Sequence, residues 1–119
     1  MMAVEAVLQI ATRTVGNVAV ITLTGRLTVT ESPGLLKESV KSAVAAGAKH
    51  VVIDLSDVHY IDSTRLGELI AAHVTVSRQG GKLKLSGTPE RIIELFAMAG
   101  LSDVFERFDS VETAIASLA

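Results

Sequence analysis

Asp62-Ser63-Thr64 gathers three small oxygen-bearing side chains immediately ahead of an apolar pattern of helical period. Residues of this type cap helix starts, because their oxygens accept from the free amides of the first turn. The other residues able to do chemistry fit together less well. His50, His59 and His73 have no helical or finger-type metal spacing. His73 falls on an apolar helix face, which reads as a satisfied, half-buried histidine. A hydrolase elbow needs glycine two residues either side of its serine, and Ser63 has Ile61 and Arg65 there. Residues ten apart on one helix are about 15 Å apart along its axis, so His73 is out of reach of Ser63 for proton transfer. Gly80-Gly81-Lys82 lacks the spacing and the following hydroxyl of a phosphate loop. Asp54, Asp57 and Asp62 are near enough in sequence for a divalent cation, although Asp54 serves equally as an acceptor for nearby turn amides. These readings point away from an enzyme, and no cofactor or metal is expected.

The elements that must hold Ser63 are legible around it. Val51-Val52-Ile53-Asp54-Leu55 is apolar on both alternating faces apart from Asp54, as in a strand covered on two sides. A polar turn follows, and a helix then runs to about Gln79 with a stripe at Leu66, Leu69, Ile70, His73, Val74 and Ser77. Glu68, Ala72 and Thr75 fall opposite that stripe, on a mildly polar face that suits a partner and is equally what any exposed helix face presents. Ser63 is therefore expected at the surface, where a buried strand delivers the chain to a helix.

Upstream, residues 4–14 and 18–25 read as two strands joined through Gly16-Asn17, with Gly25 ending the second and a short loop from Arg26 to Thr30. Ser32-Pro33 marks a helix start, with an apolar stripe at Leu35, Leu36, Val40, Ala43 and Val44 and a stop at Gly47. Downstream, Gly80-Gly81 reads as a flexible stop before a strand at 82–86. Thr88-Pro89-Glu90 opens a helix whose apolar face is Ile92, Ile93, Leu95, Phe96 and Met98. Residues 104–107 suit a short edge strand. Asp109 and Glu112 resemble a capping box for a last helix carrying Val111, Ile115 and Leu118. Strands alternating with helices imply an α/β fold: a mixed, mostly parallel sheet of four to five strands, an N-terminal β-hairpin and about four helices.

Composition sets the outer limits. A 119-residue chain is one domain's worth, 1–119, and buries roughly 65% of its unfolded surface. The apolar share is 49% with aromatics at only 3%, so the core is aliphatic. The absence of cysteine excludes disulfides and fits a reducing compartment. The N-terminus lacks the basic lead of a signal peptide, and no apolar run approaches the ~20 residues of a membrane span, so a cytoplasmic location is expected. A net charge of −2 with interspersed signs gives no electrostatic grip on nucleic acid.

VVIDLSDVHYIDSTRLG, residues 51–67, resembles the signature of STAS domains, and specifically of bacterial anti-sigma factor antagonists. That pattern is an apolar strand ending Asp-Leu-Ser, a short loop, then Asp-Ser-Ser/Thr-Gly-Leu-Gly. The likeness extends to Gly25, to Gly80-Gly81-Lys82-Leu83 and to the stretch from Pro89 to Phe105 with its Met98-Ala99-Gly100-Leu101. The resemblance implies that Ser63 is phosphorylated by a partner anti-sigma factor that is also a serine kinase. The unmodified form binds that kinase and frees the sigma factor, the phosphorylated form does not, and a PP2C-type phosphatase resets the cycle. Asp62, Ser63, Thr64, Arg65, Glu68 and Thr28 are then the expected partner-binding residues.

Two positions depart from the pattern. Arg65 stands where the family has glycine and is expected to be exposed in the first helical turn. There it pairs with a phosphate, contacts an acidic partner at the rim, or is simply solvated. Thr28 stands where these antagonists place an aspartate near the phosphoacceptor. The same fold also suits a non-enzymatic subunit or scaffold of a transporter or stress-signalling complex, which need not gain phosphate on Ser63.

Overall fold

The computed structural model describes residues 9–27 and 34–118. Its elements are β1 (Gln9–Val15), β2 (Val18–Leu27), α1 (Leu35–Ala45), β3 (His50–Ile61), α2 (Ser63–Arg78), β4 (Leu83–Ser86), α3 (Glu90–Met98), β5 (Glu106–Phe108) and α4 (Val111–Ala116). The five strands form one sheet in the order β1-β2-β3-β4-β5. β1 and β2 are antiparallel, and every later neighbour pair is parallel. This is the mixed α/β sheet with an N-terminal hairpin that the sequence pattern implies. Residues 4–8, Thr28 and the Ser32-Pro33 helix start lie outside the described residues. Within them α1 begins after Gly34, whose φ of 77° lies in the left-handed region.

The period-2 rule sorts the strands between two cores. Ala19, Ile21 and Leu23 of β2, Val51, Ile53 and Leu55 of β3, and Leu83 and Leu85 of β4 face one side. Leu36 and Val40 of α1, Leu69 and Val76 of α2, and Ile92 and Phe96 of α3 pack against them. Val18, Val20 and Val52 face the other side, where Ala114, Val111 and Ile115 of α4 meet them. β3 is thus covered on both faces, as its apolar run, broken only at Asp54, requires.

Several boundaries differ from the sequence pattern. β3 continues through Ser56–Ile61, the segment read as a polar turn. Its pairing with β2 slips between Thr22↔Asp54 and Thr24↔Asp57, and again between Gly25↔Val58 and Arg26↔Tyr60, leaving one extra residue on β3 each time. Two bulges therefore turn Val58 and Ile61 inward although they follow Leu55 at steps of three, a spacing that hides a strand. β2 likewise runs past Gly25, which has φ 111° at the second irregularity, so the expected stop is a kink within the strand. β5 is shifted to Glu106–Phe108. The capping box of α4 is Ser110 with Thr113, not Asp109 with Glu112: Ser110 Oγ accepts from Thr113 N at 3.1 Å. At α3, Pro89 occupies the cap position with no side-chain bond, and the Thr88 hydroxyl does not cap the helix. On α3 only Ile92 and Phe96 are fully buried, and Met98, read as part of the apolar face, is 85% exposed.

Candidate functional site

Ser63 is the first residue of α2 and is exposed, as is Thr64 beside it. The cap belongs to Asp62, whose extended backbone (φ −95°, ψ 174°) ends the strand side of the joint. Its carboxylate accepts from Arg65 N at 2.8 Å, and its carbonyl accepts from Leu66 N at 2.9 Å. The Asp62 side chain thereby satisfies an amide that would otherwise lack a partner in the first turn. This leaves the Ser63 hydroxyl without a capping task.

The other end of α2 is fastened as firmly. Gln79 Nε2 donates to the carbonyls of Ala48 and Lys49 at 3.0 and 2.8 Å. Gly81 donates to Val76 O at 3.0 Å, and a Cβ built on it would lie 1.7 Å from Lys49 O. Gly81 is therefore a close-packed junction, correcting the flexible stop expected there, while Gly80 before it is exposed with a left-handed φ of 83°. Beside it, His50 Nδ1 accepts from Lys82 N at 3.0 Å, which requires a neutral ring. Burial, followed by the nearby charges of Lys49, Lys82 and Lys84, pushes the His50 pKa below its ordinary value.

Arg65 corrects a sequence expectation most sharply. Its side chain is 0% exposed and pairs with Glu68, itself half-buried, one turn along the helix. Neither a rim contact nor a solvated charge describes it. The stripe of α2 rotates to match: Arg65, Leu66, Leu69, Ala72 and Val76 are buried, while Val74 and Ser77 are exposed. Ala72 consequently belongs to the core rather than to the open face, which retains Thr75. Of the residues expected to meet a partner, Ser63 and Thr64 are open and Asp62 is half-buried. Arg65 and Glu68 form an internal pair, and Thr28 lies outside the described residues.

The remaining chemical candidates separate. Asp54 Oδ1 accepts from Ser56 N at 3.1 Å, the local acceptor role that its sequence position suggested. Among the described residues no three histidine or acidic side chains come together as metal ligands, so Asp54, Asp57 and Asp62 do not form a set. His73 is half-buried with its ring edge-on to Phe105 at 5.7 Å. Its buried Nδ1 has no hydrogen-bond partner among the described residues, so the histidine is less fully satisfied than the pattern suggested.

An open cleft of about 280 Å³ lies beside Ser63. Tyr60, Ile61, Asp62 and Ser63 form one wall, and Arg91, Ile92, Glu94, Leu95 and Met98 of α3 form the other. Tyr60 and Met98 leave apolar surface exposed at this edge, and Arg91 Nη1 donates to His59 O at 3.4 Å. A larger cleft of about 510 Å³ lies between β1 and α1 and does not include Ser63. The α3 wall is not legible in the sequence because Met98 reads as part of the helix's apolar face. The 91, 94, 98 spacing along one helix edge was the available signal.

Comparison with known proteins agrees with this architecture. Residues 9–114 match the family model of the STAS domain. The Bacillus subtilis (strain 168) anti-sigma-B factor antagonist is 37% identical over 86 residues, covering 72% of this chain and 77% of the relative. The crystal structure of an anti-sigma factor antagonist from Mycobacterium paratuberculosis shares the fold with a TM-score of 0.83 at 20% identity, covering 97% of this chain and 98% of that one. The antagonist SpoIIAA shares it too, at 18% identity in both of its states. Its unphosphorylated form has a TM-score of 0.76 and covers 92% of this chain and 95% of that one. Its phosphorylated form has a TM-score of 0.69 and covers 94% and 99%. With its sheet, its strand-to-helix joint and the match across residues 9–114, this chain belongs to the STAS domain family.

Proposed function

We propose that this protein is an anti-sigma factor antagonist, a non-enzymatic binding module switched at Ser63. Its partner is an anti-sigma factor with serine-kinase activity, which the unmodified protein engages, releasing the sigma factor. The partner phosphorylates Ser63, and a PP2C-type phosphatase restores the hydroxyl. The kinship with the Bacillus subtilis antagonist supports the role. The observation that carries the switch is the exposed Ser63 hydroxyl at the first position of α2, with capping delegated to Asp62.

Free amides and the helix dipole at this place favour negative charge, so the fold accommodates a phosphate of about −1.5 to −2. The same phosphate, set beside Asp62, alters a surface fitted to a neutral hydroxyl. Like charges brought together across an interface cost several kcal/mol, and each ~1.4 kcal/mol lowers affinity tenfold. Repulsion alone then weakens binding by a hundredfold or more. Among the described residues no helix is long and apolar enough to cross a membrane, which is compatible with a partner met in solution.

Incubation with the candidate kinase and ATP, followed by mass spectrometry, tests the reading. Phosphate is expected on Ser63 and absent from Ser63→Ala. Transfer to another residue, or none with a kinase active on a control substrate, overturns it.

A further inference from the structure

We propose that a phosphate on Ser63 is taken up across the adjoining cleft by Arg91, which makes Arg91 the phosphate-reading residue of the switch. The inference rests on the reading of Ser63 as the phosphoacceptor and adds to it a specific reader. Ser63 and Arg91 line the same open cleft, one from the start of α2 and the other from the first turn of α3. Arg65, the cation nearest in sequence, is excluded by its burial and its pairing with Glu68. Arg91 is the one cation among the described residues lining the cleft, and it is exposed.

Its hydrogen bond to His59 O is long at 3.4 Å and goes to a neutral carbonyl. A guanidinium gains by exchanging such a contact for a charge-assisted, two-pronged bond to phosphate oxygens. Two acids share the cleft. Asp62 is committed to the amide of Arg65, whereas Glu94 competes for the same guanidinium and tempers the attraction. The phosphate thus folds toward its own chain, occupying a cleft edged by Tyr60 and Met98 as well as adding charge to the surface.

The test uses the full chain with phosphoserine installed at position 63 during synthesis, titrated by phosphorus NMR. In the parent protein the second phosphate ionisation lies below the ~6 of an unperturbed phosphoserine. Arg91→Gln raises it by about half a unit, roughly a threefold change in proton affinity, as befits a solvent-exposed pair. Arg91→Lys restores part of the shift, and Glu94→Gln lowers the value further. Equal titration of the parent and Arg91→Gln, with both shown folded by their amide spectra, overturns the proposal. Because the phosphate is installed chemically, the result is independent of whether a kinase modifies Ser63.

Discussion

At the strand-to-helix joint, neighbouring residues divide two tasks that one residue would perform poorly. Asp62 closes the first turn of α2, and Ser63 presents a hydroxyl to solvent. Asp62→Ala should cost about 1 kcal/mol of stability, the usual loss for a helix cap, with Asp62→Asn recovering most of it. Urea unfolding midpoints at constant slope measure both. His50 offers a second test. Its folded-state pKa lies below the ordinary value of 6.5, so the unfolded chain binds the proton more readily. Stability is therefore fully present above pH 6.5 and falls as pH drops from there toward the folded value. His50→Asn, whose amide oxygen can accept from Lys82 N, should lose less stability than the parent between about pH 7.5 and about pH 5 in the same unfolding assay. Equal losses would remove His50 from the account.

At the scale of elements, α2 works as a rod pinned at both ends. Asp62 holds its start, and Gln79 with Gly81 ties its finish to the turn before β3. Gly81→Ala should destabilise by about 3 kcal/mol or more, because its Cβ collides with a backbone carbonyl that no rotamer change can move. Thermal unfolding would report it, and a near-neutral result would show that the junction yields. This is also where the limits of the sequence are clearest. The apolar run at 51–55 and the cap at Asp62 are readable because each is a local pattern with one physical cause. The tail of β3 is not, since two bulges convert its alternation into steps of three. Nor is the burial of Arg65, because a charged residue at a helix start reads as exposed until its partner Glu68 and the packing around it are known. The rotation of the α2 stripe toward Ala72 and Val76 follows from the same cause. On α4 the box slid by one residue because Asp109 and Ser110 are both good caps, and only packing chooses between them.

At the scale of the whole fold, among the described residues α1, α2 and α3 cover one face of the sheet and α4 covers the other. The central strand ends at the Ser63 joint, the kind of place where α/β sheets present ligand sites, outside the carboxyl ends of parallel strands. On the proposed reading, the sheet behind the joint lets a single covalent change at Ser63 alter the surface without reshaping the fold. The most direct test is a calorimetric titration of the proposed partner kinase with the unmodified protein and with the protein carrying phosphoserine at 63. The account predicts binding by the unmodified form and at least a roughly hundredfold weaker affinity for the phosphorylated one, with both forms melting cooperatively. Equal affinities for two folded forms would contradict it.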